Sequence, residues 1–380
     1  MKKAIINGRI LLPDAEIAGK ALLFDETIIG IADDAAGAEI IDAAGAYVSP
    51  GLIDVHTHGY QGADVSDADK DGIRNMAKGF LQNGVTAFLP TTMTVAWDTL
   101  ETVFGQIREL MPESRRGDFP GAEILGCHAE GPFINPGKKG AQAESAILPP
   151  DAGKILPWKD VIRVITFAPE MPGGEAFIRT LKEKTDIRLS IGHTGANFDQ
   201  AMAAIALGAS RTTHTFNAMT PLHHRDPGVV GAALSSDVYA ELIADTFHVN
   251  KGLFPLMRKA KGNRLVLITD SVRATGMPDG KYTLGGQEFT LKGIECRMAD
   301  GTIAGSVLKL NEAVRNYRDF GGVPMHTAVR AASLNAAESA GLEKSKGSLE
   351  AGKDADITLL DENCRVLRTI VRGETKYLRA

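Results

Sequence analysis

Cysteine is scarce: the chain has three in 380 residues, Cys127, Cys296 and Cys364, far apart and without a Cys-x-x-Cys spacing. That excludes a disulfide framework and a thiolate zinc site. Aromatic residues make up only 6% of the chain. No apolar run approaches the ~18–20 residues that a membrane span requires. Basic clusters are missing as well. None exceeds a pair such as Arg115-Arg116, and 42 basic residues against 47 acidic give a net charge of −5. The chain therefore has no electrostatic footprint for nucleic acid. Met1-Lys2-Lys3 before Ala4-Ile5-Ile6 imitates a signal peptide, but Asn7, Gly8 and Arg9 end it before an apolar stretch can form. A soluble, cytoplasmic protein is expected, one that binds neither membrane nor nucleic acid.

What is present supports a large core. Hydrophobic residues are 44% and charged residues 23%, a balance that excludes a mainly disordered chain. The 41 glycines imply many tight turns between short elements. A length of 380 residues suits two domains or one enlarged α/β barrel.

The first fifty residues read as short strands, Lys3–Ile6, Ala21–Phe24, Ile28–Ala32 and Glu39–Ile41, broken by turns at Asn7-Gly8, Asp25-Glu26 and Ala36-Gly37. The C-terminal runs Asp356–Leu360 and Val366–Val371 have the same texture. Between them, eight strand-like runs alternate with helical or loop segments: 52–56, 85–90, 124–130, 162–168, 187–193, 211–214, 240–244 and 265–270. Ile73, Met76, Ala77, Phe80 and Leu81 mark one helix by their spacing, and Leu100, Val103, Phe104, Ile107 and Leu110 a second. Parallel strands need long crossovers, so this order predicts a (β/α)8 TIM barrel. Doubly wound sheets share the alternation. The segment Gly276–Gly301 predicts a β-hairpin inserted after the eighth strand. The expected division is a barrel over 51–340 and a small β-sandwich domain built from 1–50 and 341–380.

Nine histidines are present, and their placement carries the chemistry. His56 and His58 form a His-x-His pair at the end of the first strand. Residues two apart on a strand share a face, so both rings can reach one metal ion. Glu130 ends the third strand, His193 the fifth, His214 the sixth and Asp270 the eighth. A barrel gathers all these ends on one rim, and burying such groups without partners is costly. Imidazoles with carboxylates suit Zn, Fe, Mn or a similar divalent transition metal, not Ca or Mg.

These residues resemble the amidohydrolase superfamily, and more closely its N-acetylglucosamine-6-phosphate deacetylases. The segments that carry the resemblance are Pro50–Gly59, His128–Phe133, Gly192–Thr194, Thr213–Met219, His223–Gly228, Ile268–Asp270 and Gly347–Asp356. Related cyclic amidases bridge two metals with a lysine on the fourth strand. Val161–Ala168 has none, so the resemblance assigns the carboxylate to Glu130. It implies that Glu130, His193 and His214 hold the principal metal, and that His56 and His58 complete a second, more exposed site. One or two ions are expected per subunit, Zn or Fe first, with Mn, Co or Ni as options. Asp270 is implied as general base and then general acid in hydrolysing the acetamide of an amino-sugar phosphate.

Arg225 suits a phosphate through its bidentate geometry, and in the family it reaches the neighbouring subunit's site, which implies a homodimer. Asn217 and Ala218 are implied to line the sugar-phosphate pocket together with His248. Ser306, Val307 and Leu308 are implied to close it behind the acetyl group. Gln142 stands where some deacetylases carry a histidine that polarises the substrate carbonyl; its amide can donate a hydrogen bond but carries no charge. His128 shares a strand face with Glu130 and is expected to support it. Alternatives are the galactosamine epimer or another N-acetyl amino-sugar phosphate as substrate, or a non-catalytic relative serving as a scaffold.

Overall fold

The computed structural model describes residues 1–35 and 37–380. Eight parallel strands follow one another around a barrel: β1 (Leu52–Thr57), β2 (Val85–Thr92), β3 (Cys127–Glu130), β4 (Ile162–Phe167), β5 (Arg188–Ile191), β6 (Arg211–Thr212), β7 (Tyr239–Ile243) and β8 (Leu265–Ile268). Each pairs in parallel with the next from β1 to β8. The alternation predicted from the sequence is thus a barrel and not an open sheet.

The β8–β1 seam has no continuous ladder. Asp270 N–H donates to His56 O at 2.9 Å, Thr57 and Ser271 form an isolated parallel bridge, and the Thr269 hydroxyl donates to the Asp54 carboxylate at 2.6 Å. Burial pushes Asp54 up to about 7, even though Thr269 and the His56 N–H donate to it.

The helices follow their apolar stripes. α1 (Lys70–Phe80) starts at the Asp69 cap, whose carboxylate accepts the Asp71 N–H, and buries Ile73, Met76, Ala77 and Phe80. α2 (Trp97–Ser114) buries Leu100, Val103, Phe104, Ile107 and Leu110. Both stripes join the barrel strands in one continuous core.

The termini build two further sheets. The N-terminal strands Ile28–Ala32, Ala21–Phe24, Lys3–Ile6 and Glu39–Asp42 form one, in that spatial order. The other joins both chain ends: Ile357–Leu360 lies antiparallel between Tyr47–Pro50 and Val366–Val371. Ile5, Leu22, Phe24 and Val48 from one end pack with Leu349, Ile357 and Ile370 from the other, which makes a β-sandwich. Strands Arg9–Leu11, Glu16–Ile17, Tyr47–Pro50 and Glu374–Leu378 had no sequence counterpart above. Of the predicted Ala36-Gly37 turn, Ala36 lies outside the described residues. The predicted hairpin insertion is a three-stranded antiparallel sheet, Gly280–Leu284, Gln287–Lys292 and Glu295–Arg297. It packs Leu284, Phe289 and Leu291 against Met93 and Ala141 at the barrel mouth.

Candidate metal centre

At the C-terminal mouth a cavity of about 350 Å³ is walled by His58, Glu130, Gln142, His193, His214 and Asp270, with Asn217, Ala218 and His248 on the same wall. Five ionisable groups from the ends of five strands, His58, Glu130, His193, His214 and Asp270, therefore line one place, and His56 Nε2 lies 3.3 Å from both Glu130 and Asp270. Their backbone is arranged for it: His193, His214, Asp270 and Ala218 all have left-handed φ, at 47°, 29°, 52° and 51°. Such conformations are costly for residues with a Cβ and collect at functional sites.

Glu130 is the hub. Its Oε1 lies 3.3 Å from His56 Nε2, 3.4 Å from His193 Nε2 and 3.1 Å from His214 Nε2, and its Oε2 lies 3.4 Å from His58 Nε2. Asp270 Oδ1 stands 3.1 Å from His58 Nε2 and 3.3 Å from His56 Nε2. The proton positions follow from the outer nitrogens. His58 Nδ1 donates to Thr91 O at 3.2 Å, His193 Nδ1 to Lys138 O at 2.9 Å, and His56 Nδ1 to the Glu241 carboxylate at 2.9 Å. In the neutral form that ligates a metal, each ring turns its Nε2 lone pair inward. These converge with a buried Glu130 Oε1 that no donor satisfies. Lone pairs at such spacing repel unless a cation lies among them, and ligand atoms around a transition metal at ~2.0–2.2 Å have this spacing. Two groups share Glu130: His56, His58 and Glu130, and Glu130, His193 and His214. The donor set fits a divalent transition metal.

The field is strongly negative. Burial lowers the proton affinity of His56, yet Glu241, Glu130 and Asp270 raise it well above the usual value. Burial likewise opposes His58, which Asp270 and Glu130 bring up to about 9. Glu130 is pushed up by burial and carried well below the carboxylate range by His193 and His56. The same field attracts any cation. His128 is the exception: burial and the neighbouring His56 hold it at about 3. Its Nδ1 donates to Val55 O at 3.0 Å, and its Nε2 accepts from Thr166 Oγ1 at 2.7 Å.

A model of the amidohydrolase family matches residues 47–376, which span the barrel and the C-terminal strands. The chain belongs to the amidohydrolase family. It is 40% identical to the N-acetylglucosamine-6-phosphate deacetylase of Bacillus subtilis, over 90% of this chain and 87% of that one. It is 38% identical to the N-acetylgalactosamine-6-phosphate deacetylase of Escherichia coli O157:H7, over 86% of each. Its fold superposes on the crystal structure of N-acetylglucosamine-6-phosphate deacetylase from Pasteurella multocida with a TM-score of 0.93, at 32% identity and 99% coverage of both chains.

Within this amidohydrolase, three expectations need revision. His56 and His58 are not the more exposed pair: they are 0% and 2% exposed, against 5% each for His193 and His214. His56 lies inside β1, whereas the other two follow their strand ends by two residues and sit higher on the rim. Gln142 does not present its amide to the cavity as a free donor. Its Nε2 donates to Glu130 Oε2 and its Oε1 accepts from Thr94 N–H, both at 2.5 Å. Ser306, Val307 and Leu308 are not among the cavity-lining residues, which from this segment are Thr302, Ile303 and Gly305. Ser306 Oγ is turned to Thr269 O, and its N–H donates to Asp270 O, so it braces β8. Arg225 sits in the exposed His223–Asp226 turn, outside this chain's own cavity wall, and donates to His224 Nε2 at 2.8 Å; a residue expected to reach a neighbouring subunit's site is not contradicted by that placement.

His248 turns its Nδ1 to Asp245 at 2.6 Å, which leaves Nε2 for the cavity. The sequence reading missed Glu241, Arg211 and Asp54. The available signal was a charged residue inside an otherwise apolar barrel strand, as in Tyr239-Ala240-Glu241-Leu242-Ile243.

Proposed function

We propose that the chain is a metal-dependent hydrolase that cleaves the acetamide of N-acetylglucosamine 6-phosphate to glucosamine 6-phosphate and acetate, a step of amino-sugar catabolism. The observation that carries the reading is Glu130 Oε1, buried and undonated, among three inward-facing imidazole nitrogens at 3.1–3.4 Å. Glu130, His193 and His214 would hold one ion, and His56 and His58 with Glu130 would hold a second. Zn and Fe suit this nitrogen and carboxylate set best, and Mn, Co and Ni are compatible with it. When bound, such an ion lowers the pKa of water toward neutrality and polarises an amide carbonyl.

The protein's own groups supply the rest. Asp270 accepts the proton that water loses as its oxygen adds to the carbonyl carbon. It returns that proton to the nitrogen as the carbon–nitrogen bond breaks, giving acetate and an amine. Gln142, committed to Glu130 and Thr94, holds the Glu130 carboxylate in place. Asn217, Ala218 and His248 face the sugar phosphate across the cavity. Arg225, exposed on its turn, serves the phosphate of a second copy in a homodimer. A phosphorylated substrate, whose charge keeps it from crossing membranes unaided, supports a cytoplasmic enzyme.

The 38% identity to an N-acetylgalactosamine-6-phosphate deacetylase favours the epimer as a second substrate. The experiment is acetate release from both phosphates, and from unphosphorylated N-acetylglucosamine, with metal content measured on the same sample. Fewer than about one ion per chain, or no acetate from either phosphate, defeats the assignment. Equal rates without phosphate remove the role given to Arg225.

A further inference from the structure

The histidines of the centre are not backed alike. His58 and His193 donate their outer protons to neutral carbonyls, Thr91 O and Lys138 O, and His214 Nδ1 is buried with no partner among the described residues. Only His56 has a carboxylate behind it. That carboxylate, Glu241, is 0% exposed in the middle of β7 and has both oxygens committed. Oε2 accepts from His56 Nδ1 and from the His214 backbone N–H, each at 2.9 Å. Oε1 accepts from Arg211 Nη2, and Arg211 Nη1 donates onward to Ser339 Oγ at 2.6 Å. The buried charge is thus held by a guanidinium anchored to the helix Leu334–Ala340 on the barrel exterior.

We infer that Glu241 is a positioning residue that sets the affinity of the His56–His58 metal position, by fixing the His56 tautomer and making its inward nitrogen the most basic of the four. The inference rests on the two-ion reading above and adds to it a specific control outside the ligand set. A carboxylate accepting the outer N–H of a metal-bound imidazole locks the ring and increases its basicity, and its loss typically weakens metal binding about 10- to 100-fold. The geometry also shows why an amide cannot replace it. Turned so that oxygen meets His56 and His214, glutamine sets its NH2 against the Arg211 guanidinium. Turned the other way, it sets NH2 against His56 Nδ1, which must then give up its outer proton and carry one on Nε2, where it blocks ligation.

The same carboxylate holds the His214 backbone, yet His214 keeps Glu130 and His193 beside it whatever stands at position 241. The effect should therefore be unequal between the two positions.

The experiment is a competitive chelator titration of wild type and Glu241→Gln with Zn²⁺, with ion counts by mass spectrometry and thermal melts of both proteins stripped of metal. Expected is wild type with two ions per chain and E241Q with one, the second binding about 10- to 100-fold more weakly while the first keeps its affinity to within a few-fold. Nitrogen NMR of the zinc-loaded proteins should show the His56 Nδ1–H form in wild type and its loss or weakening in E241Q. If E241Q fails to fold, Glu241→Asp, which keeps the charge beside Arg211 but withdraws it from His56, should show the same selective loss. Both ions bound with wild-type affinity would overturn the inference, as would equal weakening of both with a lowered melt, which marks a purely structural ion pair. A wild type that binds fewer than two ions defeats the two-ion reading itself, whatever the variant does.

Discussion

Replacing Lys346 with methionine should destabilise the protein by about 3–5 kcal/mol, the range for removing one partner from a buried ion cluster. Lys346 is 1% exposed, and its Nζ lies 2.7 Å from Glu123, 2.8 Å from Asp354 and 2.7 Å from Asp356. Glu123 belongs to a short segment paired with β2, whereas Asp354 and Asp356 lead into Ile357–Leu360, so one ammonium ties the barrel to the terminal sheets. Burial disfavours its charge, but the three carboxylates overcome this and raise its pKa above the ordinary lysine value. A folded pKa above the unfolded ~10.4 gives stability that is complete below that value and lost only as pH rises through the folded one. The wild type keeps the contribution throughout the neutral range.

Methionine fills the volume but leaves the carboxylates with Arg115, which pairs with Glu123 and Asp354 from the surface. Three largely buried carboxylates then face one another with only that partly exposed guanidinium to offset them, which is the source of the loss. Urea denaturation of both proteins at about pH 7.5 should show the gap. A gap under about 1 kcal/mol, the size of an exposed pair, would refute the reasoning.

Asp270→Asn should lower kcat about 10²- to 10⁴-fold, the usual contribution of a general acid–base, while ion counts stay at the wild-type value; substantial turnover in that variant would remove Asp270 from the proton path. Gln142→Leu should lower stability by about 2–3 kcal/mol, because it strands the Thr94 N–H and takes a donor from Glu130, and should lower kcat more than it raises KM. A rise in KM at constant kcat would instead put Gln142 on the substrate. Burial holds the Lys261 ammonium at about 8 although it donates to Ala233 O and Ser236 O at 2.7 Å. The unfolded chain then binds more protons between ~8 and ~10.4, so stability should rise over that window by about 1–2 kcal/mol after solvent screening. Urea titrations of Lys261→Gln should lack the rise, and a variant that keeps it would show that another group titrates.

The legible part of the site was the part that obeys strand ends. His56, His58, Glu130, His193, His214 and Asp270 each sit at or just past a strand-like run, and parallel strands in a barrel bring such ends together whatever the helices between them do. Helix stripes were equally legible, because the 3.6-residue period that marks Ile73, Met76, Ala77 and Phe80 is also the one that buries them. Short edge strands such as Glu16–Ile17 and Glu374–Leu378 were not, since they lack an alternating pattern and exist through pairing with distant partners.

Sequence by itself determined the alternation of strand and helix, the ligand types and their order along the chain. Local periodicity and residue chemistry fix those. Only the tertiary structure decided how deep each ligand lies and what stands behind it. The His-x-His pair is the deeper one because His56 remains within its strand while His193 and His214 lie beyond theirs. Gln142 turned out to hold Glu130 because a loop folds back 12 residues onto its own strand end. Glu241 meets His56 across 185 residues, on the seventh and first barrel strands, and that contact exists only because the sheet closes on itself. Hydrogen-bond direction and burial are properties of atoms brought together by that closure, and no spacing along the chain encodes them.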